Sequence, residues 1–163
     1  MSTTGDSEAT TTTAAMHHGA ALRAQGHHAR AAEVLRAALK EQVAVHGSES
    51  HPDCLETAWR LGDLLAEPRT EVNDADAATA LLRATAAHQE ELLGSAHTRR
   101  WRTLVSLAVA LLAMHGDGAA AARDEAVALL ERAEEAQRAA LGGGHPDVVK
   151  TATLLGVEKM LRP

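Results

Sequence analysis

The sequence contains no phenylalanine, tyrosine or isoleucine, and Trp59 and Trp101 are its only large aromatic side chains. A sheet protein draws on β-branched and aromatic residues to cover its pleated faces, so this shortage argues against a sheet architecture. Alanine, leucine and valine are left to fill the interior, and alanine and leucine are strong helix formers. The single cysteine, Cys54, excludes an intrachain disulfide and reads as a small residue on a helix. Long apolar runs are missing too. The longest uncharged apolar stretch, 104–114, falls well short of the ~20 residues a helix needs to cross a bilayer. The N-terminus lacks the basic start and apolar run of a secretory signal, so the expected setting is cytoplasmic, with no membrane partner. Net positive charge is also lacking. With 16 basic and 22 acidic residues the formal charge is −6, which argues against general nucleic-acid binding. Residues 47–93 carry ten acidic and three basic residues, and the basic cluster Arg99, Arg100, Arg102 follows closely.

What the chain does have is internal repetition. Three segments align without a gap: HPDCLETAWRLG from His51, HTRRWRTLVSLA from His97 and HPDVVKTATLLG from His145. Each begins with histidine and ends on leucine followed by a small residue, at Leu61-Gly62, Leu107-Ala108 and Leu155-Gly156. Between them lies a second set, Ala31-x-x-x-Leu35, Ala78-x-x-x-Leu82 and Ala126-x-x-x-Leu130, spaced 47 and 48 residues apart. The unit is therefore a pair of helices, repeated. Caps and breakers predict helices over about 12–25, 27–45, 52–66, 74–93, 98–115, 119–141 and 146–161. His-Pro-Asp at 51–53 and 145–147 are natural starts, because proline fits the first turn and aspartate offsets the positive end of the helix dipole. Asp74 or Asn73 supplies the cap of the fourth helix. The Thr-rich residues 1–13 read as a flexible tail, and 14–163 as one helical domain.

These patterns resemble the tetratricopeptide repeat. Its first-helix pattern, large-x-x-Leu-Gly-x-x-large, is matched by Ala58-x-x-Leu61-Gly62-x-x-Leu65 and Leu104-x-x-Leu107-Ala108-x-x-Leu111, and more loosely by Ala15-x-x-His18-Gly19-x-x-Leu22. The Leu-Gly-x-x-His-Pro element and the long repeat are most similar to the kinesin-light-chain-like subtype. The resemblance implies an all-α, right-handed superhelix of about three hairpins with a seventh, capping helix. It also implies a role in binding other proteins as a scaffold or adaptor. The paired asparagines common on the inner face of that subtype are absent. Trp59-Arg60, Val105-Ser106 and Thr153-Leu154 stand in their place.

In such a solenoid the first helix of each pair lines the concave face. The frame turns Glu56, Trp59 and Asp63 inward from the second repeat, Arg102, Val105 and Val109 from the third, and Lys150 and Thr153 from the last helix, with Arg23 joining from the first. One aromatic, an apolar floor and a mixed-charge rim suit a groove for a partner peptide or helix. Trp59 has a second possible place, filling the space between hairpins one and two.

Nothing in the sequence points to catalysis. Gly142–Gly144 is not followed by the lysine of a phosphate loop, no serine sits in a G-x-S-x-G context, and Glu90-Glu91 and Glu134-Glu135 read as solvated helix faces. The chain reads as a non-enzyme without a cofactor. Two further roles stay open. The stack can self-associate through its ends, with Leu154, Leu155, Val157 and Leu161 capping repeat three and the N-terminal hairpin left for a homodimer. The ten histidines, among them His17-His18, His27-His28, His46 and His51, raise metal binding as a third role. No H-E-x-x-H or C-x-x-C spacing supports it, and adjacent histidines on a helix point about 100° apart, so no metal ligand is assigned.

Overall fold

A computed structural model describes residues 3–161, which form seven α-helices and, among the described residues, no strand. They are α1 (Thr3–Ala24), α2 (His28–His46), α3 (Pro52–Leu65), α4 (Ala75–Leu93), α5 (Thr98–Leu112), α6 (Ala119–Leu141) and α7 (Pro146–Met160). Each helix lies against its neighbour in sequence, so α1/α2, α3/α4 and α5/α6 are hairpins stacked in order. Helix α7 takes the place of a fourth first helix. Helix α1 begins about nine residues earlier than its caps suggest, so the backbone of residues 3–13, expected as a flexible tail, continues α1. Met1 and Ser2 of that expected tail, and Arg162 and Pro163 of the expected domain, lie outside the described residues.

The repeated histidines are helix caps. The ring Nδ1 of His51 accepts from the Asp53 backbone N–H at 3.3 Å, and His97 and His145 do the same for Arg99 and Asp147, each at 3.2 Å. All three have extended backbone at the cap. Imidazole thus does what a serine or aspartate oxygen does elsewhere, satisfying a first-turn amide that has no helical partner. Of the two candidates for the α4 cap, Asp74 takes it, accepting from Ala77 N–H at 3.0 Å. Asn73 instead donates its amide to the Leu65 carbonyl.

Within the first two hairpins the small residue of the repeat motif, Gly19 or Gly62, has a direct steric reason. A methyl placed on Gly62 would sit 2.6 Å from Leu82 Cγ, and one on Gly19 would sit 2.7 Å from Leu35 Cγ. Both leucines are fully buried, so the helix backbone itself is the surface they rest on. In hairpin three Ala108 and Leu130 are equally inaccessible. Gly156 occupies the same position in α7, yet no heavy atom lies within 4 Å of the methyl it lacks. Among the described residues no second helix covers α7.

Between hairpins, the backbones of α1 and α3 and of α3 and α5 approach closely, whereas no comparable approach joins α2 to α4 or α4 to α6. Long side chains span that wider side, as Arg83 does to Glu125 with bonds of 2.7 and 3.1 Å. A stack that is tighter on one side curves toward it, so α1, α3 and α5 form the inner face. The expected cap of repeat three by α7 is only partial. Leu155 is buried and Leu154 half-buried, but Val157 is 50% and Leu161 61% exposed. Those two residues point away from α6, and Val148 and Thr151 take the buried positions instead.

The two glycine environments predict opposite outcomes. In urea denaturation, Gly156→Ala gains about 0.5–1 kcal/mol, since alanine restricts the unfolded chain and strengthens the helix. Gly62→Ala makes no such gain and loses about 1 kcal/mol or more, because Leu82 must leave its place.

Candidate functional site

The inner face carries a polar relay across all three hairpins, and Ser106 is its centre. Ser106 lies on α5 where the helix meets α3, and it is buried. Its hydroxyl donates to Asp63 Oδ1 at 2.6 Å and accepts from Trp59 Nε1 at 3.1 Å. The other oxygen of Asp63 accepts from Arg23 on α1 at 2.7 Å, and Arg23 reaches Glu67 at 3.2 Å. Burial alone would lower the pKa of Arg23, but the carboxylates of Asp63 and Glu67 together outweigh it and hold the guanidinium above its ordinary value. The pair is partly screened by solvent, so its worth lies more in register than in stability.

Trp59 takes a place that neither expectation described fully. It is half-buried against the core, and its indole N–H bonds forward to hairpin three rather than filling the gap to hairpin one. The Arg102 guanidinium carbon lies 3.5 Å from the centroid of its ring, a close cation–π stack, and Arg60 stands farther off at 5.6 Å. Glu56 then holds both arginines, accepting from Arg102 at 2.7 Å and from Arg60 at 3.0 Å. The indole is therefore fixed by an N–H bond at its edge and a cation on its face.

Beside it opens a depression of about 220 Å³, lined by Trp59, Asp63, Arg102, Val105, Gln137, Lys150 and their neighbours. It runs from α3 across α5 to α7. Of the inward residues expected from the sequence, Trp59, Asp63, Arg102, Val105 and Lys150 meet here, while Arg23 and Glu56 join through the relay. Val109 is half-buried against the core, and Thr153 is exposed with its hydroxyl turned back to the Val149 carbonyl. Both lie outside the depression's lining. The basic cluster Arg99, Arg100, Arg102 is no patch. Arg100 is buried and pairs with Glu90 at 2.9 Å, Arg102 enters the inner face, and Arg99 alone stays exposed.

Two contributions went unread in the sequence: the link that Ser106, placed there only in the stead of an inner-face asparagine, makes between Trp59 and Asp63, and the pair Gln137–Thr151. Thr151 Oγ1 donates to Gln137 Oε1 at 2.8 Å between α7 and α6, at the wall of the depression. The signal was available. Gln42, Gln89 and Gln137 each lie five residues before the glycine that ends a second helix, and Thr57, Thr103 and Thr151 each lie six after a capping histidine. All six are buried. Among the described residues the bond closes only at the third junction; Gln42's amide and Thr57's hydroxyl have no hydrogen-bond partner.

No protein-family model matches the chain, and no curated protein matches it. Among the described residues no helix is long and apolar enough to cross a membrane.

Because Ser106 serves two partners, Ser106→Ala leaves both a half-buried carboxylate oxygen and the indole N–H without that partner. The expected cost is about 1–3 kcal/mol in chemical denaturation. Tryptophan emission moves to longer wavelength as Trp59 loses its anchor, whereas Ser106→Thr keeps the hydroxyl and limits both effects.

Proposed function

We propose that this chain is a tetratricopeptide-like adaptor, a right-handed superhelix that holds a peptide or helix of a partner protein along the face formed by α1, α3, α5 and α7. The observation that carries this reading is Trp59, which is held rigid by Ser106 and Arg102 and presents its free edge to an open depression. Rigid aromatic anchors set among polar groups are the usual energetic centre of a protein interface. Val105 supplies an apolar floor beside it. Lys150 is exposed at the rim and has no ion-pair partner among the described residues, so a partner carboxylate can meet it there. The mixed rim favours a short polar-apolar segment over a nucleic acid, and the reading involves no catalysis.

Self-association is a second reading, favoured by the uncovered side of α7. Val149 and Val157 are about half exposed and Met160 is 86% exposed, on a helix that no second helix covers among the described residues. Under this reading two copies meet through α7 rather than through the N-terminal hairpin.

The adaptor reading is tested by affinity capture from native lysate, with wild type compared against Lys150→Glu and against a Trp59→Ala, Arg102→Glu double variant. Circular dichroism confirms that each is folded. A partner held by wild type should be weakened tenfold or more by Lys150→Glu and lost with the double variant. Equal recovery with all three removes the inner face from the account. Sedimentation velocity separates the second reading: a dimer that Val157→Asp dissolves places the contact on α7, and a monomer at every concentration rejects it.

A further inference from the structure

The junction between the first two hairpins gathers three metal-ligating side chains that partner binding does not use. His46 closes α2, His51 caps α3, and Asp53 stands in the first turn of α3. One ligand atom from each lies within 4.8 Å of the other two. His46 Nε2 is 3.7 Å and His51 Nδ1 3.8 Å from Asp53 Oδ2. The two rings stack with centroids 3.5 Å apart, and all three residues are half-buried. His46 Nε2 is itself shielded from solvent and has no hydrogen-bond partner. A shielded polar nitrogen facing another imidazole and a carboxylate is a costly arrangement unless something joins them.

We propose that His46, His51 and Asp53 form a site for a divalent transition cation of the zinc type, which clasps hairpin one to hairpin two. Three ligands of a tetrahedral ion, each about 2 Å from it, stand roughly 3.4 Å from one another. The observed spacings exceed that by a few tenths of an ångström where they are closest. Two imidazoles with one carboxylate suit zinc and its borderline neighbours, whereas calcium and magnesium favour an all-oxygen shell. Such a three-ligand site leaves a fourth position for water. The rings lie stacked 8° from parallel, so their in-plane lone pairs converge on a shared ion only when one ring turns about its Cβ–Cγ bond. His51 has the freedom for this, with 38% of its side chain exposed. Its Nδ1, the nitrogen that lies 3.8 Å from Asp53 Oδ2, accepts the Asp53 N–H, so ligation through it exchanges that capping bond for the ion.

Cys54, next in sequence, takes no part. It is fully buried, and its thiol lies outside the cluster of converging ligand atoms. The adjacent pairs His17-His18 and His27-His28 join no such cluster among the described residues.

The test uses the whole chain, stripped with a chelator and titrated with zinc chloride by calorimetry and by thermal melting. The expected result is one zinc per chain and a melting temperature that rises with zinc and is indifferent to magnesium. His46→Gln and Asp53→Asn should each weaken binding tenfold or more, while a His17→Gln, His18→Gln variant binds as wild type does. If His46→Gln does not fold, Asp53→Asn alone decides. Absence of a saturable site, unchanged affinity in the Asp53→Asn variant, or loss of binding in the His17/His18 variant each overturns the proposal.

Discussion

Everything in this molecule depends on how closely the two helices of a hairpin can approach. Leu35 and Leu82 rest on helix backbone at Gly19 and Gly62, at distances that admit no side chain. Alanine and leucine share most of the buried positions, so leucine fills the interior while alanine lets the helices approach closely. Ala31, Ala32, Ala78, Ala108, Ala110, Ala126 and Ala133 are all fully inaccessible. Interiors packed this tightly tolerate little added volume, which is why the leucine-small pair recurs so faithfully.

Stacking these hairpins brings their first helices together on the inner side, and the polar relay is a product of that closeness. Arg23, Asp63, Ser106, Trp59, Arg102 and Glu56 come from three hairpins and are far apart in sequence. Buried polar groups of this kind contribute modest net stability, but they penalise any slip that separates donor from acceptor. The same bonds that hold the hairpins in register therefore hold Trp59 in one orientation. Under the proposed adaptor role, a face prepared in this way would lose less conformational entropy when a partner arrives.

The helical architecture was legible because it follows from repetition. Leucine-small pairs, alanine-leucine spacings and histidine-led starts fall in one frame, and the structure places a helix at each. The positions Trp59, Asp63, Arg102, Val105 and Lys150 were expected from the frame that the tetratricopeptide resemblance supplies, and they line one depression. Ser106 did not, since a serine on a buried stripe gives no local sign that it joins Trp59 to Asp63 from another hairpin. The start of α1 was misplaced because threonine and glycine are weak helix formers, and the Thr-rich segment carries no apolar stripe. The extent of the α7 cap was overestimated for a different reason: Val157 and Leu161 look like core, but among the described residues no second helix covers them. The His46–His51–Asp53 cluster depends on a turn that folds a helix end back beside the next helix start, a geometry that spacing alone does not convey.

The most direct measurement of the central claim, that partners dock on the inner face, is site-specific photo-crosslinking in native lysate. A photoreactive amino acid replaces Lys150, at the rim of the depression, or Arg36, exposed on the outer helix α2. The account predicts a discrete adduct from position 150 and none from position 36. An adduct from position 36 with none from position 150 would place the binding surface on the outer helices and contradict it.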